Sequence, residues 1–362
     1  MVATHVLAGR TPAGAVSPSH WLAGGRASAL FAVLAGVSLA LMTGRQQPIH
    51  GVERRRRSVG LALRALLIAM LGLVLGTLET GIAVILTYYG VLFLLGLPFV
   101  GLRARTLAIL AGCWVVVGPV LGWLLGDVLP DRGFDNPTLG QLAHPGHLAS
   151  ELLVTGYYPV VPWLAYLLAG MAVGRARLDS VRLQAALAVG GAALAVGATL
   201  ASHALTRRAD VAAALLADRP ADGIGRLLDD IATGMYGNVP QGGAWQWMLV
   251  VAPHSSTPFD VAQTLGSALA VIGLCLLVVQ HLPRPALVAV AVFFGAGAMT
   301  LSLYTLHVVM RTSAVWPPER PDTFVWHVLV LLGIGAVVTA LGRRGPLEAL
   351  VGALTTPRRG VS

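Results

Sequence analysis

Histidine is the side chain best suited to moving protons near neutral pH, and six of the ten copies in this chain gather at what reads as one face of the molecule. His5, His20, His144, His147, His254 and His307 fall at or near matching ends of apolar runs or in the loops between those ends. His50 and His281 lie beside arginines at the opposite ends. Interfacial hydration accounts for any single histidine of this kind. His20 carries more weight, because it opens HWLAGGRASALFAVLAGVSLALM, where Arg26 stands just inside the apolar stretch. An arginine at mid-bilayer costs about 2.5–3.5 kcal/mol on insertion scales, so one near a helix end must snorkel, pair or line a wet cavity. The run therefore borders a polar site. A second polar cluster sits in PHSSTPFD, where Pro253 and Pro258 bracket His254, Ser255, Ser256 and Thr257 at the start of another apolar run.

The elements that must position these groups are membrane helices. Hydrophobic residues make up 56% of the 362 and charged residues 11%, and the mean hydropathy is +0.75. A water-soluble domain of this size could not hide such a surface. Runs near the ~20 residues that cross a bilayer recur at about 21–43, 59–77, 81–101, 106–126, 152–174, 183–204, 262–282, 285–309 and 324–342. The expected fold is an all-α, polytopic membrane helical bundle of about nine spans. MVATHVLAG reads as the last two turns of a further apolar helix, truncated at its start, which would make about ten. One transmembrane domain is expected over 1–342, with extracytoplasmic loops at 126–151 and 205–261, and a cytoplasmic tail over 343–362.

The chain has no lysine, so all 25 basic residues are arginine. Arg45 with Arg54 to Arg57, Arg103 with Arg105, Arg175 with Arg177 and Arg182, Arg284, and Arg343 with Arg344, Arg358 and Arg359 occupy alternate loops. These loops are expected in the cytoplasm, and the acid-rich loops between them on the far side. That asymmetry and anionic lipid account for the net charge of +9, and nothing suggests a nucleic-acid partner. Cys113 and Cys275 fall inside expected spans as buried apolar thiols and match no metal spacing. No cleavable signal peptide is visible, because residues 1–20 lack a continuous apolar core.

Several features depart from plain spans. Tyr88 and Tyr89 lie well inside one, so their hydroxyls need partners, and Pro159 and Pro162 around Trp163 predict an irregular helix. The segment 207–261 suggests short amphipathic helices outside the membrane, followed by Trp245 and Trp247 in an interfacial belt. Stretches such as GGAALAVGA are expected to let helices pack closely.

MVATHVL, a short polar loop, SHWLAGGRASALFAVLAGVSLAL, then YYGVLFLLGLPF and YYPVVPWLAYLLAGMAVG, together resemble the heparan-α-glucosaminide N-acetyltransferase family and its bacterial relatives. PHSSTPFDVAQTLGSALAVIGL resembles the C-terminal half of bacterial members. The resemblance implies a multi-pass protein of a bacterial plasma membrane. Acetyl-coenzyme A would enter from the cytoplasm, and its acetyl group would pass to an acceptor on the far side through a histidine that corresponds to His20. The family's asparagine at the end of the preceding helix corresponds to His5. Its acidic residue just inside the next helix is replaced in GGRASALF by Arg26 and Ser28.

The chemistry fits these residue types. A histidine can take the proton of an acceptor hydroxyl or amine as that group attacks a thioester, or can itself carry the acyl group. Arg26 and donors near His254, Ser255 and Thr257 can hold the acceptor and the oxyanion. Arg54, Arg55, Arg56 and Arg57 can meet coenzyme A phosphates, although a stop-transfer and topology signal against anionic lipid is the better account of the cluster taken alone. The implied partners are a coenzyme A thioester, a glycan or lipid-linked acceptor, membrane lipid and a second copy in a homodimer, with no metal. A competing reading is a secondary transporter of a small polar solute, since proline-broken helices also suit alternating access. Nothing favours a receptor or scaffold.

Overall fold

The computed structural model describes residues 1–131, 133, 135–219, 223–233, 239–315 and 323–355. Among these the chain is all helical, apart from one isolated bridge between Arg10 and Val16. Six helical segments are long and apolar enough to cross a membrane. They are Pro18–Met42, formed by α2 (Pro18–Ala23) and α3 (Arg26–Met42), then α4 (Gly51–Gly76), α6 (Ala104–Gly126), α9 (Val181–Thr206), α12 (Pro258–Gln280) and α15 (Thr323–Ala340). Two further segments are bent pairs. α7 (Pro145–Ser150) runs through a π turn at Glu151–Thr155 and meets α8 (Val160–Arg175) at 54°. α13 (Arg284–Phe293) meets Gly295–Met310, which contains α14 (Thr300–Met310), at 51°. The protein is an integral, multi-pass membrane protein, with six to eight such spans among the described residues.

That number is below the nine to ten expected. The missing span is the run at 81–101, of which only Leu86–Phe99 is helical, as α5 (Leu86–Gly96) and a 3-10 turn. Fourteen residues rise only about 21 Å, short of the hydrocarbon thickness. The chain before α5 is non-helical yet buried at Thr80, Ile82, Val84 and Ile85, a conformation tolerated at membrane depth only inside protein. At the N-terminus, α1 (Val2–Val6) packs against α2 and α15.

Small residues set the helix spacing, as the glycine-rich stretches predict. A methyl group on Gly170 would collide with the Val33 carbonyl, and one on Gly36 with that of Leu167, so α3 and α8 touch backbone to backbone. Gly191, Gly266 and Gly273 do the same between α9 and α12. At the arginine-rich end, Arg175 is far more than a topology signal. Its buried guanidinium donates to the carbonyls of Ala40, Thr43, Arg45 and Val100 at 3.2, 2.9, 2.7 and 2.5 Å, and to Thr43 Oγ1 at 2.8 Å. One side chain thus ties the ends of α3, α5 and α8. Within the expected tail, α16 (Pro346–Thr355) packs on α4 and α14, and Glu348 accepts from the first amides of α14 at Leu301 (2.7 Å) and Ser302 (3.2 Å).

The expected amphipathic segment forms α10 (Ala209–Ala217) and α11 (Ile224–Thr233), with a small core of Val211, Leu215, Leu227, Ile231, Trp247, Val250 and Ala252. Trp247 is therefore not an interfacial residue. It is fully buried, and its Nε1 donates to Asp218 at 2.8 Å, whereas Trp245 stays exposed. Cys113 and Cys275 are free but lie on outward helix faces, not in the core.

The orientation has a direct check. In a background with both native cysteines changed to alanine, Arg226→Cys should react with an impermeant thiol reagent on intact cells, and His50→Cys only after lysis. The reverse pattern would invert the topology.

Candidate active site

α2 is a six-residue helix started by Ser17, whose hydroxyl accepts from the His20 amide at 3.4 Å, with Pro18 at the first helical position. This start fixes the His20 ring. Its Nδ1 lies 3.2 Å from Ser17 Oγ and 3.4 Å from Ser19 Oγ, and a Cβ at Gly9 would meet the ring at 3.6 Å. Gly24 and Gly25 then break the chain before α3. Gly25 has φ +67°, and the space its missing side chain leaves brings Pro253 against the break. The same loop places His254 and Ser256 in the left-handed region, at φ +62° and +55°. Strain of that kind clusters at functional sites.

Two breaks at membrane depth form the opposite wall. Asn136 holds the unwound stretch before α5, donating to the Ile82 carbonyl at 2.8 Å and accepting from the Val84 amide at 2.7 Å. Tyr304 Oη accepts from the Ile85 amide at 3.1 Å, and Tyr158 Oη donates to the Ala83 carbonyl at 3.3 Å. The break before α8 carries Tyr157, whose amide donates to Tyr88 Oη at 3.3 Å. Tyr89 Oη donates to the Ser28 carbonyl at 3.0 Å, so both tyrosine hydroxyls of α5 have the partners their depth demands. Tyr157 and Tyr158 in turn pack on the His254 ring, with centroids at 4.8 and 5.4 Å.

Between these walls lies a cavity of about 220 Å³ lined by His5, His20 and His254, with Ser28, Gly81 and Tyr158. His20 and Gly24 also line a second cavity of about 390 Å³, which holds Arg26, Asp260, Gln263, Thr199 and His203. His20 thus stands in the partition between two chambers. Arg26 donates through Nη1 to the Trp21 carbonyl, folding back toward the end of α2. Asp260 is buried and accepts from the Ser256 amide at 3.0 Å.

The structure brings five of the sequence-predicted site residues together: His5, His20, Arg26 and His254 line the two chambers, and Ser255 borders an adjoining cleft that His254 also lines. Thr257 is fully buried as the cap of α12. Its Oγ1 donates to the Val250 carbonyl at 2.5 Å and accepts from the Asp260 amide at 3.1 Å, which makes it a support for the loop and no donor to a substrate. His144 and His147 are exposed on the loop before α8 and line neither chamber. Arg54 to Arg57 lie across the membrane, at the other end of α3, about 26 Å of helix away. There Arg54 donates to the Pro98 carbonyl at 2.7 Å, and Arg57 to Glu53 at 2.6 Å and the Met42 carbonyl at 2.8 Å, while Arg55 and Arg56 are exposed.

Sequence reasoning missed Asp260, Asn136, Tyr304 and His327. For Asp260 a signal was present, a lone acid opening the apolar run PFDVAQTLG, since intramembrane acids default to function. Asn136 gave none.

A partition histidine at the head of a kinked helix, with polar chambers on both sides, marks this as a helical membrane protein with an internal polar site. The family model described as "Heparan-alpha-glucosaminide N-acetyltransferase, catalytic" matches residues 3–206, more than half of the chain, and the chain belongs to that family. The match covers His5, His20, Arg26 and Arg54 to Arg57, while His254 and Asp260 come from beyond it. No curated protein and no solved structure matches the chain.

The polar support is testable apart from activity. Asn136→Ala leaves the Ile82 carbonyl and the Val84 amide without their partner, at about 1–3 kcal/mol for each buried group. The variant should unfold at clearly lower temperature in detergent, and an unchanged midpoint would remove Asn136 from the support of the cavity wall.

Proposed function

We propose that the protein transfers an acetyl group from cytoplasmic acetyl-coenzyme A to an amine or hydroxyl of a cell-envelope glycan or lipid-linked acceptor on the other side of the membrane. The observation that carries this reading is the place of His20, within the family's catalytic segment and in the partition between two chambers.

The hydroxyls of Ser17 and Ser19 beside His20 Nδ1 can accept from it, which allows the tautomer that leaves Nε2 as a base. Nε2 accepts the proton of the acceptor as its oxygen or nitrogen attacks the thioester carbonyl. Coenzyme A then leaves as a thiolate and takes up a proton. In the two-step variant Nε2 itself attacks, and the acceptor displaces the imidazole from the acyl group. Arg26 supplies positive charge beside the oxyanion, and Asp260 across the same chamber offsets that charge when the site is empty. Arg55 and Arg56, exposed at the far end of α3, bind the coenzyme A phosphates, so its thioester arm must reach along the length of that helix.

The unwound stretch before α5 and the bent helices favour a second reading, transport of a small polar solute. Activity separates the two. With labelled acetyl-coenzyme A, His20→Ala should lose acetyl transfer at least about 100-fold, the usual scale of a positioned general base, with the donor still bound. His5→Ala should lose less, about tenfold. Solute uptake by the unmodified protein without release of coenzyme A would overturn the enzyme reading.

Charge at the donor end has its own outcome. Changing Arg54, Arg55, Arg56 and Arg57 together to glutamine should weaken coenzyme A binding about tenfold or more while insertion persists, because neighbouring loops keep the positive-inside bias. Unchanged affinity in folded protein would leave the cluster a topological signal alone.

A further inference from the structure

Three histidines from three separate helices form a continuous array that ends in the catalytic cavity. His5 Nδ1 lies 3.0 Å from His307 Nε2, and the other nitrogen of His307, Nδ1, lies 3.2 Å from His327 Nδ1. The rings of His5 and His307 stack with centroids 5.2 Å apart, and those of His307 and His327 meet edge to face at 5.1 Å. His307 and His327 are 3% and 1% exposed, so the N···N contact between them is shielded from solvent. The three do not converge on a point. Among the described residues no group of histidines, cysteines or acids is arranged to hold a metal ion. They form a line, and each contact joins nitrogens of neighbouring rings.

On the acyltransfer reading of the cavity, we propose that His5, His307 and His327 are a proton relay that carries away the proton lost by the acceptor. One proton occupies each N···N gap, and a neutral imidazole holds one proton on either nitrogen, so the array has two polarities of equal chemistry. In the loading polarity, His5 Nδ1–H donates to His307 Nε2, His307 Nδ1–H donates to His327 Nδ1, and His327 carries its own proton on Nε2. A proton taken up at His5 Nε2 then drives the Nδ1 proton of His5 to His307 and that of His307 to His327, and one proton passes from His327 Nε2 to water at the adjoining ends of α14 and α15. One proton enters and one leaves, and ring rotation or reverse transfer resets the tautomers. The reaction needs such an exit, because an amine acceptor arrives protonated at neutral pH and must lose that proton before it can attack. His20 can hold one proton in transit to the leaving thiolate, but not a second. His307 sits near the end of α14 and His327 near the start of α15, at the same face as His5, so the array runs from the cavity toward the adjoining ends of those two helices.

His307 and His327 lie beyond the family-matched segment and act through His5, so their role shows in proton movement and not in donor binding. The test uses the full-length protein in nanodiscs with labelled acetyl-coenzyme A and an amine acceptor, glucosamine. His327→Asn keeps a hydrogen-bonding group near the position of Nδ1 but cannot pass a proton, and His307→Ala opens a space of imidazole size. Both should cut turnover about tenfold or more with an unchanged KM for acetyl-coenzyme A. The solvent deuterium isotope effect should rise in His327→Asn, and added imidazole should restore turnover in His307→Ala. Turnover and isotope effect that stay at the unmodified level in folded His327→Asn would overturn the relay alone and leave the enzyme reading standing. Slowed variants with no isotope change and no imidazole rescue would reduce the array to a clamp between α1, α14 and α15. Failure of the unmodified protein to transfer acetyl to any acceptor would overturn both.

Discussion

A backbone amide or carbonyl inside a bilayer has no water to bond, and that single requirement organises this protein. The chain leaves helical geometry at membrane depth before α5 and again before α8, and each break exposes polar groups that must find partners inside the protein. They find them on Asn136, Tyr304, Tyr158 and Tyr88, side chains drawn from four different segments. The groups that satisfy the breaks thereby become the wall of a polar chamber. The chamber is a consequence of the way the broken helices are held together.

His20 depends on the same economy of small structures. Ser17 starts α2 and holds the imidazole, and the Gly24–Gly25 break lets the Pro253 loop close against it. Neither element is a span by itself. Together they make a hinge of polar backbone at the head of α3, where a loop from outside the family-matched segment supplies His254 and the cap of α12 presents Asp260. The family's catalytic segment is thus completed by residues it does not contain.

At the opposite end, arginine serves two separate purposes. Arg55 and Arg56 remain exposed. Arg175 is buried, and its two terminal nitrogens donate to carbonyls and a hydroxyl at the ends of α3 and α5, which locks the arginine-rich end of the bundle while the far end carries the breaks.

The sequence by itself determined the class of fold. Hydrophobic runs report the bilayer directly, and the alternation of arginine-rich and acid-rich loops carries the expected orientation, because both are one-dimensional properties of the chain. It also marked His20, His5, Arg26 and His254, since a polar group at the rim of an apolar run is conspicuous without any neighbour. Pro159 and Pro162 announced the bend before α8 for the same reason. Only the tertiary structure decided that 81–101 is not a full helix, that Trp247 is a core residue, that Thr257 is a cap, and that His307 joins His5 to His327. Each of these depends on a partner far away in the chain. Asn136 looks like any loop asparagine until the Ile82 carbonyl and Val84 amide stand beside it, because hydrogen bonds between distant segments leave no periodic or compositional trace in the sequence.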